Sequence, residues 1–492
     1  MRLILGLDQS TSATKGMLFN EAGEILAKEV REHRQIYPRP GWVEHDPEEI
    51  WQNVLAVVGE LRERQSEMLG DIVGISISNQ RETFVVFDRQ SGKPLHNAIV
   101  WQCRRGEEIC RELTAAGHAP MVQAKTGLKL DTYFPASKIM HLMREHPTIA
   151  AVLRSGEAVL GTIDTYLIHR LTNGKVFATD PTNASRTLLF DVHRLEWDNP
   201  LCELFEIPQS ALAEVRECSA EFGITDVAGT LPRPIPICGV MGDSQASLFA
   251  QRCFQVGTAK ATFGTGTSVL LNVGSESRFE GQSSVLALAW VIGGRPTFAL
   301  EGLINYSSAT IAWLRDQLGL IGDAAESEAL ANSVPDNGGV YLVPAFSGLS
   351  APYWKPEARA AILGMSGHTE KAHIVRAALE AIGYQIRDVL EMMHQESGVV
   401  PKCVLADGGP TRNRFLMQFT ADMIERELVV AETAESSALG AAMMGMLGLG
   451  IHNNLNDLAT LPRKTTTFRP QLSPAAIRQL HAGWLAAVER LL

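Results

Sequence analysis

Three short turns of small and polar residues, each entered from an apolar run, constrain this chain most. The first, Asp8-Gln-Ser-Thr-Ser-Ala-Thr14, follows Leu3-Ile-Leu-Gly-Leu7 and leads into Lys15-Gly-Met-Leu-Phe19. The second, Gly264-Thr-Gly-Thr267, lies between strand-like runs at 259–263 and 268–273. The third, Asp407-Gly-Gly409, follows Val404-Leu-Ala406. Small side chains at a strand end let backbone N–H groups converge on an anion, although a single such turn is more often a plain hairpin or helix entry. Asn20-Glu-Ala-Gly23 is a further turn, so the chain opens as an antiparallel meander with a third strand at 24–30. A helix is predicted over 47–61, with Asp46 as N-cap and Ile50, Val54, Val57, Val58 and Leu61 on one face. Strands at 72–78 and 83–87 are joined by the polar turn Asn79-Gln-Arg-Glu82. The second half opens as the first does, and a helix begins at Arg414. The pattern predicts a duplicated α/β chain with lobes 1–250 and 251–492.

The 492 residues include 44 basic and 55 acidic side chains, a net charge of −11. That balance argues against a nucleic-acid backbone or an anionic membrane as the main partner. Seven scattered cysteines with no C-x-x-C fit reduced thiols better than a disulfide framework or a structural zinc. The first apolar run stops at Asp8, too soon for a signal peptide, and no later stretch approaches a membrane span. The expectation is a cytoplasmic protein.

Several familiar signatures are missing. Neither Gly92-Lys93 nor Gly174-Lys175 is followed by Ser or Thr, so there is no P-loop. Val269 breaks the dinucleotide fingerprint that Gly264-Thr-Gly266 begins, and no H-E-x-x-H occurs. Gly242-Asp-Ser-Gln-Ala246 follows an apolar stretch and resembles a nucleophile elbow, which leaves a serine hydrolase using Ser244 open. The small-residue turns, with aspartates at 8, 243 and 407, also suit phosphoryl transfer. That chemistry needs charge neutralisation, Mg²⁺ and a carboxylate to take a hydroxyl proton.

Longer segments decide between these options. Tyr37-Pro-Arg-Pro-Gly-Trp-Val-Glu-His-Asp46, Asn79-Gln-Arg-Glu-Thr83, Ala98-Ile-Val-Trp-Gln-Cys-Arg-Arg105, Thr182-Asn-Ala-Ser-Arg186, Val343-Pro-Ala-Phe346 and Ala351-Pro-Tyr-Trp354 all resemble the FGGY carbohydrate kinase family, in its glycerol kinase branch. The family's C-terminal signature is met by Ala360, Ile362, Gly364-Met365, His373-Ile374 and Ala377-Ala-Leu-Glu380. The resemblance implies a two-lobed, actin-like (ribonuclease H-like) duplicated α/β fold with an interdomain active-site cleft. It implies ATP and Mg²⁺, a small polyol or sugar as substrate, and a homodimer or homotetramer. Carried over, Asp243 is the catalytic base, and Asp8 and Asp243 hold the metal. Ser10, Thr11, Ser12, Lys15, Gly264, Thr265 and Gly266 face phosphates, and Gly408, Gly409 and Asn413 face adenosine. Arg81, Glu82, Tyr133 and Asp243 bind substrate hydroxyls, with Trp101 against its carbons and Ser244 and Ser268 lining the pocket. Taken singly, Arg81 and Glu82 would read as a structural ion pair and Trp101 as a core aromatic.

Departures from the branch are equally specific. Ser244 stands where the branch has Gln, and Ser268 where it has Phe; both remove volume, which suits a four- or five-carbon polyol or ketose as well as glycerol. An ordered water or a neighbouring side chain filling the space would leave glycerol as substrate. Lys15 replaces Arg, while Ala312, Pro410 and Arg414 replace Gln, Ala and Asn near the nucleotide. Val227-Ala-Gly-Thr-Leu-Pro-Arg233 lacks the loop through which some members bind a sugar bisphosphate, so that regulation is not expected. A nucleotide-binding sensor without turnover is the remaining alternative of a different class.

Overall fold

The opening apolar run forms strand β1 (Leu3–Gln9), buried along its whole length because both faces are covered. It pairs antiparallel with β2 (Ala13–Asn20), which pairs antiparallel with β3 (Ile25–Glu32). The predicted helix is α1 (Pro47–Arg64), its first N–H groups capped by Asp46. Next come β4 (Ile72–Asn79), β5 (Phe84–Asp88), α2 (Pro135–Glu145), the short α3 (Pro181–Ala184), β6 (Glu221–Thr225), β7 (Ile235–Gly242) and α4 (Asp243–Ala250). β4 runs parallel to both β1 and β7, giving a six-stranded sheet in the order β6-β7-β4-β1-β2-β3. The polar turn 79–82 does not close a hairpin: β5 belongs to a separate four-stranded sheet. This structure, a computed structural model, describes residues 1–276, 283–432 and 435–492.

The two faces of β1 bury different partners. Leu3, Leu5 and Leu7 join Ile50, Val54, Val57, Val58 and Leu61 of α1 in one core. Ile4 faces the other way, with Met17 and Phe19, onto Ala438, Ala442 and Met446 of a helix spanning Ser436–Gly448. That period-two division follows from the pleat. The chain divides into two units, and the first comprises Met1–Arg252, Leu286–Phe298 and Glu435–Pro462. A helix that begins 427 positions after the end of β1 thus completes its core.

The second unit comprises Cys253–Val285, Ala299–Ala434 and Arg463–Leu492. Its strands β8 (Thr258–Phe263) and β9 (Thr267–Gly274) form a hairpin around the second small-residue turn. After α5 (Ser308–Asp316) and the long α6 (Lys371–Ser397), β10 (Cys403–Asp407) runs parallel to β8. Then α7 (Arg414–Ile424) leads to β11 (Glu427–Ala431), parallel to β10, followed by antiparallel β12 (Thr465–Phe468) and α8 (Pro474–Glu489). Its core includes Tyr384 of α6 stacked on Trp484 of α8 and met edge-on by Phe419 of α7. Both units therefore share one plan: a hairpin whose first strand has a parallel neighbour, which has a parallel neighbour in turn.

The helix 436–448 lies close enough to α4 to need glycine. A Cβ on Gly440 would sit 1.8 Å from the carbonyl oxygen of Ala246, a backbone atom that cannot swing away. Gly440→Ala is expected to lower stability by about 2 kcal/mol or more, in the range of overpacked cores. Thermal unfolding by circular dichroism checks this, and an unchanged midpoint would mean the two helices are free to separate.

Candidate active site

Strand register collects the polar residues of the first unit at one sheet edge. Gln9, at the end of β1, is level with Asn79 of β4, and Asn79 with Gly242 of β7. The residues just before or after those positions, Asp8, Arg81, Glu82 and Asp243, consequently emerge together. Asp8 is buried and sits opposite Lys15 in the β1–β2 ladder and opposite Ser78 in the β1–β4 ladder. Ser78 donates its hydroxyl to one oxygen of Asp8, and the Lys15 ammonium lies 3.2 Å from the other.

The turn that follows is tight. Ser10 donates from its N–H and its hydroxyl to the carbonyl of Ala13, at 2.9 and 3.0 Å. Ser12 is exposed at its tip. Lys15 also donates to Glu435 at 2.7 Å, and Lys28 pairs with the same carboxylate. Burial opposes the charge on Lys15, but Asp8 and Glu435 outweigh it and hold the ammonium's pKa above its usual value. Glu435 is likewise opposed by burial, yet its two lysines keep it below the usual carboxylate range.

Arg81 is buried and points three ways. Its Nε lies 3.2 Å from an Asp243 oxygen and 3.9 Å from Glu82, and its Nη1 donates to Gln245 Oε1 at 3.3 Å. Glu82 adopts a left-handed backbone, φ 60°, and accepts from Arg186 Nε at 2.6 Å. The Arg186 guanidinium lies over the ring of Phe134, 5.2 Å from its centroid. Asp243 opens α4, where the helix N-terminus favours an anion, and accepts from the Ser244 N–H at 2.6 Å. Its side chain is 37% exposed, whereas those of Arg81 and Glu82 are 4% and 2%. Asp243 is the acid of this group that solvent can reach.

Two aromatic residues complete the first unit's set. The rings of Trp101 and Tyr133 lie 5.4 Å apart at 58°. The Trp101 indole donates to the Thr11 hydroxyl at 3.0 Å, joining this pair to the first turn.

Sequence reasoning gave no role to the residues that pin this edge. Asp180 caps α3 and accepts from the Thr182 hydroxyl, which in turn accepts from the Gly242 N–H at 2.8 Å. Asn183 exchanges amide hydrogen bonds with Asn79 at 2.9 and 3.0 Å. The segment Thr182–Arg186 therefore holds the strand ends that precede Arg81 and Asp243, and grips Glu82 directly. Polar residues packed in so short a stretch were the available signal.

In the second unit, Gly264 donates its N–H to the carbonyl of Gly266 at 2.8 Å. Ser308, at the start of α5, donates its N–H and hydroxyl to the Gly264 carbonyl. A Cβ on Gly266 would meet the Ile304 carbonyl at 2.4 Å, so no other residue fits that turn unchanged. Thr265 is exposed. Gly408, with φ 101°, crosses so close to Phe263 that a Cβ would lie 1.9 Å from its carbonyl oxygen. Gly409 has open space at its Cα. Asn413 caps α7 through its amide oxygen and donates to Ser327 at 3.2 Å, so its side chain is engaged by the protein. Ser268 lies on β9 opposite Thr262.

A duplicated α/β plan with small-residue turns at equivalent strand ends defines the two-domain, actin-like architecture. The chain belongs to the FGGY family of carbohydrate kinases: the family's N-terminal domain matches residues 3–250 and its C-terminal domain residues 259–449. It is 44% identical to glycerol kinase 1 of Thermotoga maritima over 489 residues, 99% of each chain. It is 46% identical to a glycerol kinase of Symbiobacterium thermophilum over 487 residues, 99% of this chain and 98% of that one. A crystal structure of Plasmodium falciparum glycerol kinase with ADP superposes with a TM-score of 0.96 at 36% identity, covering 100% of this chain and 98% of that one. A xylulose kinase from Lactobacillus acidophilus, at 21% identity and TM-score 0.90 over 100% and 98% of the two chains, shares the fold. The relatives named here are all kinases, and among the described residues no histidine hydrogen-bonds Ser244.

Removing Arg186 would leave the buried Glu82 carboxylate without its closest cation. Breaking such a pair from one side costs about 3–5 kcal/mol. Arg186→Met is expected to cut kcat/KM for the hydroxyl substrate by about 100-fold while the chain stays folded. Steady-state kinetics beside circular dichroism checks it; activity within threefold of the parent would show that Glu82 holds its place alone.

Proposed function

We propose that this chain is an ATP-dependent kinase that phosphorylates a terminal hydroxyl of glycerol or of a related polyol or ketose. The observation carrying this reading is the solvent-reachable Asp243 carboxylate, held by Arg81 at 3.2 Å beside the buried Glu82. The relatives named as glycerol kinases, matched over nearly the whole chain, support it.

In the reaction, a substrate hydroxyl oxygen forms a bond to the γ-phosphorus of ATP, and the bond from that phosphorus to the bridging oxygen breaks, releasing ADP. Asp243 takes the hydroxyl proton as the new bond forms. Arg81 donates to substrate oxygens, Glu82 accepts from substrate hydroxyls, and Tyr133 adds a phenol. Trp101 offers a flat apolar face to the carbon chain. An analogue missing a hydroxyl would leave buried charge unpaired, at a cost of about 1–3 kcal/mol.

The first turn, with Ser10, Thr11, Ser12 and Lys15, and the second, with Gly264, Thr265 and Gly266, are assigned to the phosphates. Gly408, Gly409 and Asn413 are assigned to adenosine, Asn413 through its backbone because its amide is engaged. The carboxylates of Asp8 and Asp243 have the hard oxygen chemistry that Mg²⁺ takes with phosphates and water, and the bound ion would offset charge on the transferring group.

Ser244 and Ser268 favour a roomier pocket than a Gln and a Phe would leave. ADP release measured against a panel of three- to five-carbon polyols and ketoses tests the whole reading. No turnover with any member of the panel would defeat it. Asp243→Asn is expected to lower kcat by about 10²–10⁴-fold and to leave ATP affinity intact; undiminished turnover would remove Asp243 as base. Ser244→Gln is expected to raise kcat/KM for glycerol relative to five-carbon substrates, and an unchanged ratio would mean that this position does not set pocket size.

A further inference from the structure

Lys138 is the most deeply buried ammonium near the candidate site, 0% exposed on the second turn of α2. Taking a charged amine out of water costs several kcal/mol, so an apolar side chain of similar length would suit a purely structural position better. What Lys138 does with its charge is specific. Its Nζ donates to the carbonyl oxygens of Val100 at 3.3 Å, Trp101 at 3.2 Å and Tyr133 at 3.2 Å. An ammonium has three protons, and all three are used, so none remains for a ligand.

Two of those carbonyls belong to the aromatic pair. Trp101 and Tyr133 lie outside the helices and strands, separated by 32 positions, so no backbone ladder fixes one against the other. Lys138 bridges them from beneath, while the Trp101 N–H donates to Thr83 and the Tyr133 N–H to Asp131. Among groups facing the ammonium, Glu82, Asp131 and Cys103 favour its charge and Arg105 opposes it. Burial dominates and pushes its pKa down to about 8.

We infer that Lys138 is a positioning residue, cross-linking the two loops that carry Trp101 and Tyr133 so that their rings stay set for the substrate's carbon chain. This rests on the kinase reading, in which those rings touch the polyol. A misplacement of about 1 Å in such contacts costs up to about 100-fold.

Lys138→Met keeps the stem and removes the charge. With the polyol that the parent enzyme turns over best, its KM is expected to rise about tenfold or more, with kcat at saturation and KM for ATP changed less than about threefold. Lys138→Gln, which retains two N–H donors, is expected to fall between. The parent's polyol KM should climb from about pH 7 to 9 as Lys138 deprotonates, and the Met variant's should not follow. A polyol KM unmoved in both variants, or rising in step with KM for ATP, would overturn the inference. Should the Met variant fail to fold, a Gln variant with the parent's KM and pH slope would overturn it equally. A parent without turnover would instead count against the kinase reading itself.

Discussion

A chain of alternating charges, Asp243–Arg81–Glu82–Arg186, governs the sheet edge on which the proposed chemistry rests. Three of its four members are buried, so none could be present alone: each guanidinium offsets the desolvation of the carboxylate beside it. The chain ends at the one member that meets water, Asp243. A buried charge network of this kind is weak evidence for stability, because apolar residues would fill the same volume at less cost. Its value lies in orientation. Arg81 touches Asp243, Glu82 and Gln245 at once, which leaves its guanidinium little freedom to follow a poorly fitting substrate.

The two units put one topology to different uses. In each, a hairpin turn and the end of the adjacent parallel strand lie at one sheet edge, because parallel neighbours finish level when their register is fixed by buried faces. In the first unit those ends carry Asp8, Arg81, Glu82 and Asp243. In the second they carry Gly264, Gly266 and Gly408, and at the last two a Cβ would collide with a carbonyl oxygen. On the kinase reading, the first unit's acids and bases serve to activate a hydroxyl, while the second unit's bare backbone adds to the phosphate contacts of the first turn.

Much of this was legible in the sequence. Short apolar runs bounded by Gly, Ser, Thr and Asp marked β1, β2, β4, β8, β9 and β10, and the face and N-cap of α1 follow from its spacing. Pairing was less legible, since an apolar run does not say which sheet it joins; hence β4 and β5, adjacent in sequence, lie in different sheets. The return of residues 286–298 and 435–462 to the first unit left no compositional trace. Lys138, Thr182, Asn183 and Arg186 act through groups that are distant in the chain, and only the folded register shows what each one holds.

Lys15 illustrates how the charge count around the first turn shapes what an anion meets there. Asp8 and Glu435 supply two negative charges and Lys15 and Lys28 two positive ones, so the cluster is neutral before any ligand arrives. Glu435 draws Lys15 and Lys28 together, and both carboxylates hold the Lys15 proton more firmly. Lys15 therefore stays cationic with or without a phosphate nearby, but its charge is already matched. A triphosphate, were this turn its site, would meet an ammonium but little net positive potential. On the kinase reading, the positive charge needed by the transferring group must come from elsewhere, which is the role that a divalent cation on Asp8 would fill.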